Sequence, residues 1–278
     1  MVIDGKELSQ EIYNEIETQA IGNIKLAIIL ANNDEASIKY TELKRRAGEK
    51  INITVEIFKF DQSVKKEDLM NIINKLNADN NLHGIVVQLP LFEHLAEDTL
   101  EILECIEPLK DADGLTRSSL ASAFYFSEES ILPAAVAAIM KSINHVISFK
   151  ELSGKNVVII NNSNLVGVPL SVVLSRFNAT VTICNEFTKN LTILTKEADI
   201  IISATGVTNI ISANVIKKDS ILIDVTSVVK EGKVYGDFIY DTELISKVKA
   251  YTPVPGGIGP LTVASLFENL IKLVKKNG

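Results

Sequence analysis

The chain has 278 residues, of which 46% are apolar, so it can form one large or two modest domains with buried cores. Its formal net charge is −7 and its basic residues are scattered, which argues against a nucleic-acid or anionic-membrane surface and favours small molecules or proteins as partners. Two cysteines and three isolated histidines are too few for a disulfide framework or a zinc cluster.

The amino-terminal half alternates helical and strand patterns. It opens on strand- and helix-forming residues rather than on a leader, and no apolar run approaches about 18 residues, so we expect a cytoplasmic protein without a membrane segment. The predicted helices span residues 5–19 and 65–77 and include 36–44, and the predicted strands span 24–31, 53–60 and 84–88. Strands that alternate with helices of about a dozen residues indicate βαβ units and a parallel sheet.

The segment ASIKYTELK at residues 36–44 follows the first strand. Tyr40 and Lys44 are four residues apart, so on a helix they share one face. The helix begins at the carboxyl end of a strand, where open α/β sheets bind their ligands. An isolated YxxxK pair is more often part of an exposed amphipathic helix. Short-chain dehydrogenases also carry this pair, but in that family it follows an N-terminal dinucleotide-binding unit. In this chain the segment that resembles a dinucleotide-binding unit comes after the pair, and this order rules against that family.

Two further polar positions lie at loop boundaries. Gln88 ends the third strand before Leu89-Pro90, so its amide emerges where proline stops the ladder of hydrogen bonds; a strand cap and a functional role are equally compatible with this. The loop IEPLKDADGL at 106–115 brings Asp111 and Asp113 before Gly114. On its own, this loop is best read as an Asp/Gly turn, and it lacks the oxygen ligands of an EF-hand.

The carboxyl-terminal half has the pattern of a doubly wound nucleotide-binding domain. A predicted helix at 130–146 leads into it, and its predicted strands span 155–160, 179–184, 199–203, 220–225 and 250–252. A final helix, predicted from 261 to 274, is expected to cross back onto the first domain.

In the carboxyl-terminal half, the turn after the first predicted strand lacks the glycine fingerprint that is usual in dinucleotide-binding domains. Asn161, Asn162 and Ser163 take its place, and Gly167 remains near the start of the next helix. Asparagine tolerates left-handed conformations and Ser163 can cap the helix, so we expect the backbone amides of this turn to face an anion.

The residues after the next strand bear on the choice of dinucleotide. Glu186 lies where an acidic residue contacts the ribose hydroxyl of NAD and disfavours a 2′-phosphate. Thr188 and Lys189 lie close by and suit a 2′-phosphate instead. The residues alone therefore leave the choice between NAD and NADP open.

The segment TPVPGGIGP at 252–260 follows the last predicted strand. Its prolines restrict the backbone, and its glycines lack side chains, so the main chain can approach a flat ligand closely. A rigid surface loop is the alternative, but the place after the last strand of a nucleotide-binding sheet favours a ligand contact.

Four of these motifs occur together in the order found in one known family. They are the SxxYxxxK of Ser37, Tyr40 and Lys44, the VQLPL of 87–91, the KDADG of 110–114 and the TPVPGGIGP of 252–260. In these motifs, and over nearly its whole length, the chain resembles the bifunctional methylenetetrahydrofolate dehydrogenase/methenyltetrahydrofolate cyclohydrolase family, known as FolD.

The resemblance implies an α/β protein of two domains, each with a mostly parallel sheet. Residues 1–130 would form the folate-binding domain, with the helix at 261–278 packed on it, and residues 131–260 a Rossmann-like doubly wound domain, with the active-site cleft between the two. NADP is the expected cofactor, although NAD is compatible, and a homodimer is expected. The family acts in one-carbon metabolism: it oxidises 5,10-methylenetetrahydrofolate and then hydrolyses the methenyl product to 10-formyltetrahydrofolate.

The resemblance also assigns roles to individual residues. It implies that Lys44 is the catalytic lysine, Tyr40 its aromatic partner and a substrate contact, Gln88 its hydrogen-bond partner and Asp113 the anchor of the pterin ring. The loop residues expected to contact substrate are Pro255, Gly256 and Gly257. The expected cofactor-binding residues are Asn161, Asn162, Ser163, Gly167, Glu186, Thr188, Lys189, Thr205, Gly206 and Ser227.

Several positions depart from the family pattern, and they cluster around the cofactor. Besides the Asn161-Asn162-Ser163 turn, the departures are His83, Phe92, Ala134 to Val136, Asn185 and Thr226. Two alternatives are therefore kept: a monofunctional dehydrogenase of the same fold, and a non-catalytic folate- or nucleotide-binding regulator. The retained Lys44 and Gln88 argue against the first alternative, and the retained Lys44 argues against the second.

Overall fold

The computed structural model describes residues 1–19, 22–127, 129–230 and 232–277, which form two compact units. The first unit comprises Gln10–Ala134 with Val263–Gly278, and the second comprises Met1–Ser9 with Ala135–Thr262. The helices are α1 (Gly5–Thr18), α2 (Glu35–Lys50), α3 (Lys66–Asn77), α4 (Thr99–Leu103), α5 (Arg117–Ser122), α6 (Ala134–Val146), α7 (Gly167–Arg176), α8 (Leu191–Glu197), α9 (Thr242–Lys247) and α10 (Ile258–Asn277). The strands are β1 (Ile24–Leu30), β2 (Ile53–Lys59), β3 (Gly84–Gln88), β4 (Asn156–Ile160), β5 (Thr180–Cys184), β6 (Ile200–Ser203), β7 (Ile221–Asp224), β8 (Val228–Lys230), β9 (Lys233–Tyr235) and β10 (Ala250–Tyr251).

The first unit is built on a parallel sheet with strand order β2-β1-β3. The strands β1 and β3 are almost continuously apolar and buried, which is typical of a parallel sheet covered on both faces. The registers pair Leu30 with Gln88, so the carboxyl ends of β1 and β3 lie side by side. The loops that follow these two strands therefore leave from the same edge of the sheet.

Local hydrogen bonds fix how α2 starts at this edge. Asp34 is the N-cap, and its carboxylate accepts a hydrogen bond of 2.7 Å from the Ser37 amide. The Asn32 side chain accepts from the Asp34 amide at 3.1 Å and donates to the Pro90 carbonyl at 2.6 Å. Asn32 thus ties the loop after β1 to the loop that follows Gln88.

The second unit contains a five-stranded parallel sheet with order β10-β7-β6-β4-β5, and an antiparallel β8-β9 hairpin. After β4 the chain forms β5 on one side and then crosses to form β6 on the other, so the topological switch point lies between β4 and β6. The predicted α/β class with parallel sheets and a doubly wound second half is confirmed. In such sheets, ligands bind outside the carboxyl ends of the strands at the switch point.

The predicted bounds of two helices were wrong at their starts. The helix predicted from residue 130 begins at Ala134, because Pro133 disfavours a helical conformation in the residue before it. The last helix begins at Ile258 rather than at 261, because Pro260 lies in its first turn, where proline costs no intrahelical hydrogen bond. In the described part of the chain, none of the helices combines the length and apolar character needed to cross a membrane.

Candidate active site

The first unit brings Tyr40, Lys44 and Gln88 together. On α2, the Lys44 ammonium lies 5.0 Å from the centroid of the Tyr40 ring. Lys44 is only 3% exposed, and its Nζ donates to Gln88 Oε1 at 3.0 Å. The Gln88 Nε2 donates to the Leu89 carbonyl at 2.8 Å, so the amide is held with its oxygen towards the lysine. The site combines a buried amine, an aromatic face and an oriented amide.

Burial shifts the pKa values of the lysine and of a nearby aspartate in this site. Burial lowers the pKa of Lys44, and the nearby Asp113 carboxylate opposes that shift. Burial likewise raises the pKa of Asp113, an effect that Lys44 opposes and Asp111 reinforces. A lysine whose pKa is lowered has a larger neutral fraction and can accept a proton.

The two aspartates of the KDADG loop have different tasks. Asp111 is 1% exposed, and its carboxylate accepts hydrogen bonds from the amides of Gly114 at 2.9 Å, Leu115 at 3.2 Å and Thr116 at 2.8 Å. Within the described residues, no group donates a hydrogen bond to the carboxylate of the partly buried Asp113. Asp111 therefore shapes the turn, and Asp113 keeps its acceptors available.

This loop is held from both sides. Gly114 has φ of +73°, and a Cβ there would lie 2.6 Å from the Leu132 carbonyl oxygen, so both conformation and space require glycine. The buried Asn269 of α10 donates to the carbonyls of Ala112 at 3.1 Å and Leu132 at 2.8 Å. The position of Asp113 is thus fixed by the backbone around it.

In the second unit, the turn after β4 closes on the Asn161 side chain. Its Oδ1 accepts from the amides of Ser163 at 2.9 Å and Gly167 at 3.0 Å and from the Ser163 hydroxyl at 2.7 Å. Its Nδ2 donates to the Ala204 carbonyl at 2.8 Å, across the switch point. A Cβ on Gly167 would lie 1.9 Å from the Asn161 carbonyl oxygen, which explains the glycine. Asn162 is exposed.

Several amides of this turn already have acceptors within the turn. Besides the two amides bound by Asn161, the Val166 amide donates to the Ser163 hydroxyl at 3.2 Å and the Val168 amide donates to the Ser163 carbonyl at 3.0 Å. The next residue, Pro169, has no N–H. The amides of Ser163, Val166, Gly167 and Val168 are thus used within the turn, and anion binding by its other amides stays a prediction.

The loop after β5 is organised by Asn185. The Asn185 amide donates to the Thr188 hydroxyl at 2.9 Å, and its side-chain oxygen accepts from the Phe187 amide at 3.0 Å. Glu186 and Lys189 are exposed. Thr188 therefore supports the loop, while the two charged side chains remain accessible to a ligand at the carboxyl end of β5.

The loops after β6 and β7 meet through hydrogen bonds. Thr205 donates from its amide and its hydroxyl to Asp237 Oδ2, both at 2.8 Å. The exposed Gly206 has φ of +74° with open space where a Cβ would lie, and its amide donates to the Thr226 hydroxyl at 3.1 Å. Ser227 is exposed. This open backbone at the switch point suits close approach by a dinucleotide.

The glycines after β10 are held by the amino-terminal segment of the same unit. The Gly5 amide donates to the Gly256 carbonyl at 3.0 Å, and Gly256 has φ of +109°. A Cβ on Gly257 would lie 2.6 Å from the Pro253 carbonyl oxygen. Pro255 between them is exposed. The backbone of this loop is therefore held at Gly256 and closely packed at Gly257, and its contact with a ligand stays a prediction.

Sequence reasoning missed two residues that organise these sites. Asn32 connects the loops after β1 and β3, and Asp237 holds Thr205. Asn32 lies in an Asn-Asn-Asp segment that predicts only a turn, and Asp237 lies in an unremarkable YGDF segment. Neither residue has a local pattern that predicts a distant partner. Among the described residues, no group of three histidine, cysteine, aspartate or glutamate side chains is arranged to hold a metal ion.

Comparison with known proteins identifies the family. Residues 3–113 match the catalytic domain of tetrahydrofolate dehydrogenase/cyclohydrolase, and residues 133–278 match its NAD(P)-binding domain. The bifunctional protein FolD of Staphylococcus epidermidis is 37% identical over 97% of this chain and 95% of that protein. The crystal structure of the bifunctional enzyme FolD from Campylobacter jejuni is 35% identical, with a TM-score of 0.92 over 100% of this chain and 99% of that one.

A second solved structure is similar over the same length. The Trypanosoma brucei enzyme FolD, complexed with NADP and an inhibitor, is 29% identical, with a TM-score of 0.92 over 100% of this chain and 98% of that one. Both domain models of one family match the chain in order, and full-length relatives match it throughout. The chain belongs to the tetrahydrofolate dehydrogenase/cyclohydrolase family.

Proposed function

We propose that this chain oxidises 5,10-methylenetetrahydrofolate to 5,10-methenyltetrahydrofolate with NADP and then hydrolyses the product to 10-formyltetrahydrofolate. The observation that carries the proposal is the buried Lys44, hydrogen-bonded to an oriented Gln88 amide and lying against the Tyr40 ring. A regulator that only binds ligands has no need of a desolvated amine held in this way. Family membership supports both activities.

The oxidation depends on positioning. Bound NADP supplies the acceptor for the hydride that leaves the methylene carbon. Asp113 holds the pterin, because a carboxylate with free acceptors can take two hydrogen bonds from the donors of an aminopyrimidine edge. The Tyr40 ring offers an aromatic face to the substrate. Because no acid or base acts in the hydride step, these residues contribute mainly by orienting the reacting carbon.

The hydrolysis depends on Lys44. The neutral amine takes a proton from the water that attacks the methenyl carbon, and the resulting ammonium returns a proton to the nitrogen that leaves as the ring opens. Burial keeps the pKa of Lys44 low, and a cationic substrate beside it lowers that pKa further. The Gln88 oxygen holds the amine in one orientation through both transfers.

One assay separates this proposal from its alternatives. The purified protein is incubated with methylenetetrahydrofolate and NADP, and methenyl absorbance and 10-formyl product are followed together. The bifunctional enzyme produces NADPH and the 10-formyl product. A monofunctional dehydrogenase would accumulate the methenyl compound, and a regulator would produce neither. Either of the last two results would overturn the proposal.

The Glu186→Gln substitution tests how the dinucleotide is selected. The exposed carboxylate of Glu186 would repel a 2′-phosphate that Lys189 attracts. Removing that charge is expected to tighten NADP more than NAD, and by no more than severalfold, because exposed charges are screened by solvent. Calorimetric dissociation constants for both dinucleotides measure this, with Glu197→Gln, an exposed glutamate at the end of α8, as control. Equal changes for NADP and NAD would show that Glu186 plays no part in selection.

A homodimer formed through the second unit is part of the proposal. The strand β5 is at the edge of its sheet and carries no charged residue, and Ile183 on it is 39% exposed. An edge of this kind pairs readily with a second copy of the same strand. We place the enzyme in the cytoplasm, where its free thiols at Cys105 and Cys184 stay reduced.

The Ile183→Lys substitution tests this interface. A charge on the edge strand is expected to convert the dimer to a monomer, because edge charges block strand pairing. Light scattering after size exclusion gives the mass of the wild type and the variant. Val229→Lys, at a 49% exposed position of the β8-β9 hairpin in the same unit, serves as control. A wild type that is monomeric at micromolar concentration would contradict the dimer.

A further inference from the structure

Asp237 is a buried carboxylate whose contacts converge on the loop after β6. It is fully buried, and its Oδ2 accepts hydrogen bonds from the Ser203 hydroxyl at 2.5 Å and from the Thr205 amide and hydroxyl at 2.8 Å. Ser203 is the last residue of β6, which borders the switch point. The carboxylate therefore fixes the direction in which the chain leaves the strand.

The backbone around Asp237 holds the far end of the same loop. The Asn209 amide donates to the Gly236 carbonyl at 3.2 Å. The amides of Ile210 and Ile211 donate to the Asp237 carbonyl at 2.8 Å and 3.1 Å. The loop 204–208 is thus fastened at both ends by one short segment, and only its tip is left exposed.

A second buried carboxylate supports the next residue of the loop. Asp224 at the end of β7 accepts from the Thr226 amide at 3.1 Å, and the Thr226 hydroxyl accepts from the Gly206 amide at 3.1 Å. The other oxygen of Asp224 accepts from the Phe238 amide at 3.1 Å and the Tyr240 hydroxyl at 2.9 Å. Two consecutive residues, Thr205 and Gly206, are therefore held by two buried acids.

Stability alone does not account for Asp237. Its Oδ1 is buried without a hydrogen-bond partner, and among the described residues no cation pairs with the carboxylate. A buried charge satisfied on one oxygen costs stability relative to a neutral side chain. Burial also raises the pKa of Asp224 to about 6, and the neighbouring charge of Asp237 adds to that shift. Buried polar groups that are not fully paired occur mainly at functional sites.

We propose that Asp237 is a positioning residue for the dinucleotide. It binds Thr205 directly and thereby holds the loop that contains Thr205 and Gly206 in the conformation that binds the cofactor. The inference rests on the proposed function only in taking these two residues as cofactor contacts. A loop that is already ordered loses little conformational freedom on binding, so its affinity for the dinucleotide is higher. Asp237 is fully buried, so it acts on the dinucleotide through Thr205.

The test compares Asp237→Ala with Asp237→Asn. The alanine variant loses all three acceptor contacts, and both KM and the calorimetric Kd for NADP are expected to rise at least about tenfold, while kcat at saturating NADP changes little. The asparagine variant keeps one oxygen as an acceptor and should recover most of the affinity. Cyclohydrolase turnover of methenyltetrahydrofolate, which uses no dinucleotide, should be unchanged in both variants.

A matched control lies at the other end of β6. Asp199, just before the strand, accepts from the Asn156 amide at 2.9 Å and pairs with Lys217 at 2.7 Å. Asp199→Ala should lower the melting temperature without changing the NADP Kd. An unchanged NADP Kd in Asp237→Ala, or an equal loss of cyclohydrolase activity, would overturn the inference. Calorimetry decides this even if the wild type proves to lack dehydrogenase activity, a result that would count against the proposed function alone.

Discussion

The Lys44→Met protein is expected to lose cyclohydrolase activity by about a hundred- to ten-thousandfold, the range that a positioned general base contributes. Methionine is similar in length but cannot take a proton from water. The dehydrogenase rate should fall less, because hydride transfer needs no base and loses only the positioning by the amine. Turnover of methenyltetrahydrofolate, followed by its absorbance, measures the first effect, and NADPH formation measures the second.

The fold of this variant should be at least as stable as the wild type. Burial lowers the pKa of Lys44 in the folded state, so the charged amine opposes folding below its unfolded pKa, and an uncharged side chain removes that cost. Lys44→Arg is the matched control: it keeps a charge but stays protonated, so it should also lack cyclohydrolase activity. In the wild type the cyclohydrolase rate should fall as the pH is lowered through the pKa of Lys44. Wild-type turnover in well-folded Lys44→Met would contradict its role as the base.

The Asp113→Asn protein is expected to bind tetrahydrofolate about ten- to a hundredfold more weakly and to bind NADP normally. An amide offers one acceptor and one donor where the carboxylate offers two acceptors, so one contact with the pterin donors is lost and the other loses its charge. Hydrogen bonds to charged groups contribute about 1.5 to 3 kcal/mol, which corresponds to that range. Dissociation constants for both ligands measure the effect.

Asp111→Asn is the natural comparison, two residues earlier in the same loop. Asp111 accepts three backbone amides, so its replacement should lower the melting temperature. Asp113→Asn should not lower the melting temperature. The pKa of Asp113 is raised in the folded state, so its ionised form opposes folding above the ordinary pKa of an aspartate. If Asp113→Asn lowers stability or NADP affinity and spares folate affinity, Asp113 is a turn residue and not the anchor.

The sequence alone was enough to predict the parallel sheets, the doubly wound order and the pairing of Tyr40 with Lys44. These features depend on local rules: alternating helix and strand patterns predict parallel strands, and the helical repeat places residues four apart on one face. It also indicated that Gln88 emerges at the edge where α2 begins, because the carboxyl ends of parallel strands share one edge of the sheet. The observed hydrogen bond joins side chains that are 44 residues apart in the chain.

Which polar groups are already hydrogen-bonded and which remain available to ligands depends instead on the tertiary fold. The KDADG sequence predicts a turn with two equivalent acids, but in the described part of the chain Asp111 accepts three backbone amides and Asp113 accepts none. Asn161 lies in a turn whose composition suggests anion binding, yet its side chain accepts hydrogen bonds from two of the amides in that turn. Asp237 reaches Thr205 from 32 residues away. The physical reason is common to all three: a hydrogen bond depends on distances of about 3 Å between groups that only folding brings together, whereas sequence patterns specify backbone conformation.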